Sequence, residues 1–550
     1  MQQLIECVPN FSEGQDLAII KQITDEIETV EGVRLLNVDP GKATNRTVVT
    51  FVGNPEAVID AAFRAIKKAG ELIDMTRHSG EHPRMGATDV CPLIPIANIT
   101  MEETAKYAQQ LAKRVGEELK IPVYLYEAAQ PEKSRSNLSV IRAGEYEGFF
   151  KKIKEPEWKP DFGPAAFDAK RGATVIGARD FLVAYNVNLN TTSTRRANAI
   201  AFDVREAGRT VVENGVKVHK PGSLKAVKAI GWYIEEYGIA QISINLTNIN
   251  ITPVHIAFDD VCKKADARGI RVTGSELVGL IPLKAMLDAG KYFLRKQQRS
   301  TGVSETELIR IAVKSMGLDE LGPFKPEEKI IEYMLKEKTG NRLVSMSLTG
   351  FADETASESP APGGGSIAAY VGALGISLGT MVANLSSHKK GWDDRWEEFS
   401  NWAEKGQKYK NELLRLVDED TRAFNHIINA MALSKGTEEE KAVRAKAISD
   451  ATRIAIEIPF KVMQTAYESM EVIKAMAETG NPNSVSDAGV GALCARTAVI
   501  GAFINVRTNA AGYDDKAYVT DIVKRGREIE NKAIAFEAEI LKTVNEKIGI

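Results

Sequence analysis

The sequence predicts a multidomain protein in which two α/β units, of an α+β sandwich-like kind, precede an all-α helical bundle. The chain has 550 residues, too many for one ordinary hydrophobic core. Up to about residue 320, short β-branched runs alternate with segments of helical period, as in helices that cover a sheet. Beyond about residue 340 the strand signals fade and long helical patterns remain, which is typical of a bundle.

The first unit is predicted over residues 1–180. Its strands are indicated by short apolar or β-branched runs, namely QLIECVPN, VRLLNVDPG, RTVVTFVG, ATDVCPLIPI and IPVYLYEA. Helical spacing is found from Leu17 to Ile27, in PEAVIDAAFRAIKKAGELID and from about Met101 to Leu119. The predicted order of elements is therefore β-α-β-β-α-β-α-β.

The second unit is predicted over residues 181–326 and resembles the first in its order of elements. FLVAYNVNLNTTSTRRANAIAFDVREAG runs from an apolar strand through an Asn-containing loop into a helix, as IECVPNFSEGQDLAIIKQITDEI does in the first unit. KAVKAIGWYIEEYG, AQISINLT, VHIAFDDVCKKADARG and IRVTGSELVGLIPL continue the alternation. Two related halves would place a functional site in the cleft between them.

A linker is predicted at residues 327–341 and the helical domain at 342–550. Long helices are indicated over Trp396–Met431, Thr437–Ala477 with a break or kink near Pro459, Ser484–Val506, and from Asp515 onward. The stretch from Ser359 to Ser387 has no charged residue and is long enough to span a bilayer. Because Gly, Ala and Ser dominate it, a tightly packed helix inside the bundle is favoured over a membrane span.

Composition excludes several classes of function. The chain is 44% hydrophobic and 26% charged with a net charge of -3, so no charge excess predicts binding to nucleic acid or to a membrane surface. The four cysteines lie far apart without a CxxC pair, which argues against a zinc ribbon or a disulfide framework. The N-terminus has no basic and apolar pattern of a signal peptide, and a cytoplasmic location is expected.

The loop HSGEHPRMGATDV holds two histidines four residues apart, His78 and His82. Gly80 and a proline within the loop argue against a helix, so the spacing does not predict a metal site. Two interpretations remain open from the residues alone: ordinary loop histidines, or one histidine as a general base. In the second, Arg84 would hold an anionic substrate, and Asp89 or Asp39 would orient the imidazole.

A carboxylate interrupts the apolar face of one long helix. Leu413, Val417, Phe424 and Ile428 mark that face, and Asp420 falls at the remaining position of the series. Burial of an unpaired charge is costly, so this aspartate should find a partner or have a raised pKa. A side chain that reaches solvent or a salt bridge is the alternative, and Asp418 points nearly the opposite way.

The stretch APGGGS stands before an apolar helix, where free backbone N–H groups could hold a carboxylate or phosphate. A flexible hinge with tight helix packing is an equal alternative. The stretch lacks the GK[ST] of a P-loop, so it does not predict nucleotide binding.

Long motifs spread over nearly the full chain resemble the formimidoyltransferase-cyclodeaminase family. CVPNFSEG, NVDPGKATNRTVVTFVG, GEHPRMGATDVCPLIPI, DFGP, GATVIGARDFLVAYNVNLN and GSELVGLIPLKA are similar to its glutamate formimidoyltransferase part. SPAPGGGSIAA, LVDEDTRAFN and GNPNSVSD are similar to its cyclodeaminase part. The resemblance implies a cytoplasmic folate enzyme of histidine degradation, with tetrahydrofolate as co-substrate and no metal or nucleotide.

The resemblance also implies two reactions. The first transfers the formimino group of N-formimino-L-glutamate to tetrahydrofolate, including polyglutamylated forms, and the second closes 5-formimino-tetrahydrofolate to 5,10-methenyl-tetrahydrofolate with release of ammonia. It places the transferase base on His82 and the cyclodeaminase acid-base group on Asp420. The chemistry of the donor makes Arg84 and the loop around Gly41 to Arg46 candidates to bind its two carboxylates, and Asp39 a candidate to stabilise an amidinium or imidazolium. The resemblance places the folate-binding segment on Gly163, Pro164, Ala165, Ala166, Phe167, Asp168, Ala169, Lys170, Arg171 and Gly172.

Two rival functions remain open at this point. One is a glutamate formyltransferase joined to a methenyltetrahydrofolate cyclohydrolase, because paralogues share these motifs. The other is a non-catalytic folate-binding scaffold, for which His82 and Asp420 would be dispensable. The charge-poor helix faces also favour a homo-oligomer.

Overall fold

A computed structural model describes residues 3–42, 45–80, 83–335 and 343–549. The chain divides into two compact units. Unit 1 comprises Met1–Ala285 with Met316–Leu335, and unit 2 comprises Met286–Ser315 with Lys336–Ile550. Unit 1 is built of sheets with helices and unit 2 of long helices, so the predicted fold class is confirmed.

The first sheet of unit 1 has seven strands. In chain order they are β1 (Leu4–Cys7), β2 (Asn10–Phe11), β3 (Val33–Gly41), β4 (Arg46–Gly53), β5 (Thr88–Ala97), β6 (Val123–Glu127) and β7 (Thr174–Ala178). Strands β1 and β2 both lie between β4 and β5, β3 pairs with the outer edge of β4, and β7 lies between β5 and β6. Only the β5–β7 and β6–β7 pairs are parallel.

In the described part of the chain, five helices accompany this sheet, and sequence periodicity predicted the first three of them. They are α1 (Leu17–Glu28), α2 (Pro55–Leu72), α3 (Met101–Arg114), α4 (Leu138–Ile141) and α5 (Glu145–Lys152). The cap residues explain where the helices begin, because Asp16 and Asn54 accept hydrogen bonds from free N–H groups of α1 and α2. Thr100 and Glu103 form a reciprocal capping box at α3.

Alternation along the strands gives the first sheet two different faces. On β1, Ile5 and Cys7 belong to the buried core beneath the helices. Their neighbours Glu6 and Val8 point to the opposite face, which borders a cavity. The same alternation on β4 sends Val49 and Phe51 into the core and leaves a polar row facing the cavity.

The second sheet of unit 1 is antiparallel, in the order β11-β12-β8-β13. The remaining elements of unit 1 are β8 (Val183–Leu189), α6 (Thr194–Val204), β9 (Arg209–Glu213), β10 (Val216–Lys220), β11 (Val227–Ile234), β12 (Ile239–Leu246), α7 (Val254–Asp266), β13 (Val272–Val278), α10 (Pro326–Lys329) and α11 (Ile331–Leu335). Lys228, Asn245, Ala184 and Val278 lie side by side in the strand register. This row faces the cavity from the second sheet.

Unit 2 contains the predicted bundle. Its helices are α12 (Leu348–Thr355), α13 (Gly364–Ser387), α14 (Trp396–Met431), α15 (Glu438–Thr479), α16 (Val485–Ala510) and α17 (Lys516–Ile548). The bounds of α14 coincide with the prediction, and those of the other long helices differ by a few residues.

Two helices from the predicted range 181–326 group with the bundle. Helix α8 (Leu283–Lys296) carries Lys291, which pairs with Glu404 of α14. Gly302, just before α9 (Glu305–Met316), accepts hydrogen bonds from the Asn384 and Gln407 side chains. Residues 286–315 thus belong to the same compact unit as the bundle, although they fall within the predicted subdomain 181–326. The assignment of that range to the transferase stays a prediction.

Of the break or kink predicted near Pro459, the break is absent, because α15 runs without interruption from Glu438 to Thr479. A proline inside a helix leaves the carbonyl four residues earlier without its N–H partner. Here that carbonyl belongs to Ala455, and the Asn509 side chain of α16 donates to it at 2.7 Å. A neighbouring helix thus supplies the hydrogen bond that the proline removes.

Within the described residues, two helices are long and apolar enough to cross a membrane: Gly364–Ser387 and Pro482–Ala510. About 61% of the apolar window of the first is buried inside the protein, and 50% of the second. Buried small residues dominate both helices where they pack against each other, as expected for core helices of a bundle.

Candidate functional sites

A cavity of about 400 Å³ lies between the two sheets of unit 1. Its walls include the polar rows of both sheets, the short segment that joins them and part of α4: Glu6, Val8, Asn10, Asn37, Asp39, Arg46, Val48, Thr50, Val90, Pro92, Tyr126, Leu138, Arg142, Arg179, Phe181, Leu182, Ala184, Lys228, Asn245, Thr247, Val278, Gly279 and Leu280. The cleft between the two halves, predicted from the sequence, is therefore present.

Two arginines at one end of the cavity are fixed by a buried carboxylate. Asp89 is fully buried, and it accepts from Arg46 at 2.6 Å and from Arg142 through both of its oxygens. Asn10 accepts two further hydrogen bonds from Arg46. Burial lowers the pKa of Arg46 to about 10, against the attraction of Asp89. One carboxylate between two guanidinium groups leaves this cluster with a net positive charge, which suits an anionic ligand.

The other end of the cavity contains a buried carboxyl group, that of Glu6, which is only 3% exposed. Burial raises its pKa to about 7, with Arg179 opposing the shift and Glu332 adding to it. Tyr126 lies nearby, and burial raises its pKa to about 12 although its hydroxyl is hydrogen bonded to Arg179. This end of the cavity therefore holds a group that can exchange a proton near neutral pH.

The histidine-containing loop is held from both sides. His78 Nε2 lies 2.8 Å from the Asn45 carbonyl, and His78 Nδ1 accepts from Arg84 Nε at 3.2 Å. Both ring nitrogens of His78 are thus engaged, one with Arg84 and one with the Asn45 carbonyl. His82 lies outside the described residues.

Arg84 was expected to hold an anionic substrate, and that role stays a prediction. Its guanidinium makes two hydrogen bonds to Glu147, at 2.9 and 2.6 Å, and the residue is only 7% exposed. Glu147 raises the pKa of Arg84 still further. Because its donors are occupied, Arg84 fixes the loop to α5 and is not among the residues that line the cavity.

The segment 163–172 lies beside the loop and outside the cavity lining given by the described residues. Asp168 accepts from the backbone of Lys170 and Arg171 and from the Arg171 side chain, which makes the segment a closed turn. Gly172 has φ +67° and forms a β-bridge with Gly86. A side chain at position 172 would collide with the Met85 carbonyl. Asp39, in contrast, is exposed on β3 and lines the cavity.

A second candidate site lies at the start of α13 in unit 2. Ser366 Oγ donates to Asp420 Oδ2 at 3.0 Å, and the Ser366 backbone N–H also donates to this carboxyl. Burial raises the pKa of Asp420 against these two hydrogen bonds. Gly365 packs directly on the carboxyl, and a Cβ there would lie 2.6 Å from Asp420 Oδ2. Gly365 therefore allows the helix start to approach the carboxyl closely.

The helix face around Asp420 is only partly as predicted. Leu413 and Val417 are fully buried, whereas Phe424 and Ile428 are 39% and 48% exposed. The buried face turns instead toward Ala423 and Ala430. Asp420 thus marks the point where the apolar face leaves the core of this unit.

Comparisons with known proteins now bear on both sites. The formiminotransferase domain, N-terminal subdomain, matches residues 4–179, and the formiminotransferase domain matches residues 184–336. The formiminotransferase-cyclodeaminase model matches residues 347–528. A formimidoyltransferase-cyclodeaminase of Gallus gallus is 44% identical over 522 residues, which is 95% of each chain. The chain belongs to the formimidoyltransferase-cyclodeaminase family.

Relatives of each part of this formimidoyltransferase-cyclodeaminase family member exist as separate proteins. A glutamate formimidoyltransferase of Thermoplasma acidophilum is 45% identical over 294 residues, 53% of this chain and 92% of its own. A methenyltetrahydrofolate cyclohydrolase of Methylorubrum extorquens is 35% identical over 199 residues, 36% of this chain and 96% of its own. The family resemblance predicted from the motifs is confirmed.

Sequence reasoning missed several residues that the fold of this family member brings to the cavity. Arg142 directly follows α4 and Lys228 lies on β11, both far in sequence from the histidine-containing loop. Glu6 could have been noticed, because it is a charged residue inside the apolar strand LIEC. In an extended chain it lies on the same face as Val8 and Asn10, two and four residues later. Among the described residues, no group of three or more His, Cys, Asp or Glu side chains could hold a metal ion.

Proposed function

We propose that the chain transfers the formimino group of N-formimino-L-glutamate to tetrahydrofolate, and then closes the product to 5,10-methenyl-tetrahydrofolate with release of ammonia. The observation that carries the proposal is the cavity between the two sheets, in a chain whose family is shown over its whole length. Its lining combines four cations with two carboxyl groups. That mixture suits substrates that carry carboxylates and a basic nitrogen group.

In the transferase step, N5 of tetrahydrofolate attacks the formimino carbon and loses a proton, while the amino nitrogen of glutamate leaves. His82 is proposed as the base that accepts the N5 proton, since a histidine titrates near neutral pH. The exposed carboxylate of Asp39 stabilises positive charge on the amidine. Arg46 and Arg142, with Lys228 opposite, attract the carboxylates of the donor.

Arg84 and the segment 163–172 support this site in different ways. Arg84 is proposed to fix the loop that carries His82, because its bonds to Glu147 and His78 leave it little capacity for a substrate carboxylate. The segment 163–172 remains the proposed folate-binding segment from the resemblance. It borders the same loop through the Gly86–Gly172 bridge, so it can contact the part of the folate that projects from the cavity.

In ring closure, N10 attacks the same carbon and the departing nitrogen needs a proton. Asp420 is proposed to donate it, because its raised pKa keeps a larger fraction of the carboxyl protonated than an exposed aspartate would have. The free N–H groups at the start of α13 then stabilise the carboxylate that remains.

The test uses the full chain with three readouts: glutamate release, methenyl-tetrahydrofolate absorbance and ammonia. His82→Ala should slow glutamate release by roughly 10²–10⁴-fold and leave closure of supplied 5-formimino-tetrahydrofolate intact. Asp420→Asn should show the reverse pattern, with Asp418→Asn as the control. Normal rates in both variants would place the acid-base groups on other residues, and absence of turnover by the wild type would support the scaffold interpretation.

A second candidate function applies to the helical unit, because a relative of that part is named a methenyltetrahydrofolate cyclohydrolase. Such an enzyme would open the methenyl ring with water and produce no ammonia. Formylglutamate and formiminoglutamate supplied separately distinguish the two functions. Ammonia produced in amounts equal to methenyl-tetrahydrofolate supports the cyclodeaminase, and turnover of formylglutamate alone supports the rival.

The proposed assembly is a homo-oligomer formed through α13 and α16. Each helix has an apolar stripe that is exposed or half-exposed and repeats at alternating spacings of three and four: Ile367, Val371, Leu374, Leu378, Met381 and Leu385 on α13, and Val490, Leu493, Ile500 and Ile504 on α16, with Thr497 in the same series. This spacing is typical of helices that pack against a partner helix. A second copy of the chain presents the same stripe and is the proposed partner.

Light scattering after size-exclusion chromatography tests this assembly. Leu493→Glu should reduce the oligomer mass, whereas Leu17→Glu, at an exposed leucine of α1, should not. A monomeric wild-type chain at micromolar concentration, or association with lipid vesicles in place of self-association, would contradict the proposal. A cytoplasmic location is also proposed, in keeping with four free cysteines.

A further inference from the structure

The Glu6 carboxyl is a buried acceptor that faces the cavity. It lies on the polar side of β1, in line with Val8 and Asn10, while its neighbours on the strand pack into the core. Among the described residues, no hydrogen bond or ion pair within 4 Å is made by this carboxyl. Buried carboxyl groups normally have such partners, so this one is available to a ligand.

The charged residues around Glu6 do not form hydrogen bonds with its carboxyl. Arg179 acts on the carboxyl only electrostatically, while its guanidinium donates to the Asp180 carbonyl and is hydrogen bonded to Tyr126. Glu332 contributes like charge, and its own carboxyl accepts from the Leu283 N–H. Burial raises the pKa of Glu6 to about 7, so the group is ready to ionise when a donor approaches.

The position of Glu6 determines which part of the substrate it can contact. Four residues separate Glu6 from Asn10, which corresponds to about 13 Å along a strand. Asn10 binds Arg46, whose guanidinium reaches the Pro83 carbonyl next to the proposed base. With the proposed base at the Arg46 end of the cavity, the formimino carbon must react at that end. Glu6 is therefore too far from the reacting carbon to touch it, and a pterin ring can lie between them.

We propose that Glu6 binds the pterin ring of tetrahydrofolate through its 2-amino-4-oxopyrimidine edge. That edge presents two parallel N–H donors, at N3 and at the 2-amino group, and an ionised carboxylate accepts both at once. The contact directs N5 toward the loop end of the cavity. The inference rests on the proposed transferase function and names a positioning residue for its acceptor substrate.

The experiment measures glutamate release by the full chain with tetrahydrofolate and with its 2-desamino-2-methyl analogue, which lacks the 2-amino donor. For the wild type, we expect the analogue to have a KM roughly 10- to 100-fold above that of tetrahydrofolate, the loss typical of a hydrogen bond to a charged group. Glu6→Gln should raise the KM for tetrahydrofolate by a similar factor. The analogue should then carry little further penalty in this variant, because the partner of the 2-amino group has already changed.

The matched control is Glu28→Gln, at an exposed glutamate of α1 on the helix-covered side of the sheet. It should change neither KM. If Glu6→Gln does not fold, as judged by its melting curve, the wild-type comparison of the two pterins alone decides. Equal KM values for tetrahydrofolate and the analogue in the wild type would overturn the proposal.

Two further outcomes distinguish a wrong pterin assignment from a wrong transferase function. A raised KM for formiminoglutamate in Glu6→Gln, with an unchanged KM for tetrahydrofolate, would place the donor amidine at Glu6 and overturn the pterin assignment. Absence of glutamate release by the wild type would instead overturn the proposed transferase function, and the pterin assignment with it.

Discussion

The contact between Gly365 and Asp420 provides the sharpest test of the helical site. In Gly365→Ala the new Cβ would lie 2.6 Å from Asp420 Oδ2 and closer still to Oδ1, whereas ordinary contacts begin at 3.4 Å. The carboxyl must therefore move by about 1 Å, since the helix start is held by its neighbours. Such a movement breaks the 3.0 Å hydrogen bond from Ser366 Oγ.

The expected magnitude follows from two opposing effects. Overpacking of a buried site costs about 1–3 kcal/mol, and alanine in place of glycine in a helix contributes up to about 1 kcal/mol in the other direction. The net loss of unfolding free energy is therefore about 0–3 kcal/mol. A displacement of about 1 Å at a catalytic group can cost 10²-fold in rate. Ring closure should thus fall far more than stability does.

The assay follows ammonia release from supplied 5-formimino-tetrahydrofolate, together with glutamate release and the melting curve. Gly501→Ala is the matched control, because a Cβ there meets Ala368 Cβ at an ordinary 3.5 Å. It should leave ring closure unchanged and stability equal or higher. Normal ring closure by folded Gly365→Ala would refute the reasoning, since the reaction would then tolerate a displaced Asp420.

Three further predictions concern stability. Asn509→Ala should destabilise the bundle by about 1–3 kcal/mol in the wild-type background, because the Ala455 carbonyl loses its donor. Pro459→Ala restores that donor, so Asn509→Ala should cost much less in the Pro459→Ala chain; equal costs in denaturant titrations would contradict this. The pKa of Glu6 rises from 4.5 to about 7 on folding. Because the folded protein disfavours the ionised carboxyl, its unfolding free energy is highest below pH 4.5, where Glu6 is protonated, and falls as the pH rises toward 7. Relative to Glu6→Gln, the wild type should lose roughly 3 kcal/mol over that window, measured by urea unfolding of unit 1 at several pH values, and a constant difference would contradict the assignment. A fragment of residues 336–550 should melt below the helical transition of the full chain, because the Asn384 and Gln407 side chains lose the Gly302 carbonyl as acceptor; an unchanged calorimetric transition would show that Met286–Ser315 is dispensable.

Several features of the fold were determined by the sequence alone. Periodicities of two and of about 3.6 are local, so they predicted five strands of the first sheet, all but β2 and β7, and the bounds of α14 without knowledge of packing. The long motifs identified the family for the same reason, since they are contiguous in the chain. Asp420 was also visible, because its position on a helix face depends only on spacing.

Tertiary structure decided the features that depend on partners distant in sequence. Arg84 has the side chain of an anion-binding residue, yet Glu147, 63 residues away, occupies its guanidinium. Pro459 predicts a break, yet Asn509 supplies the missing hydrogen bond from another helix. In both cases a side chain from elsewhere in the fold satisfied a group whose local sequence indicated that it was free.

The cavity shows the same division most clearly. The residues that line it come from both sheets and from the segment between them, so no short stretch of sequence contains the site. Strand alternation determined that Glu6 points away from the core formed by Ile5 and Cys7. Only the packing of the second sheet decided that the space it enters is a cavity between two sheets rather than bulk solvent. Desolvation by burial is what raises the pKa of its carboxyl.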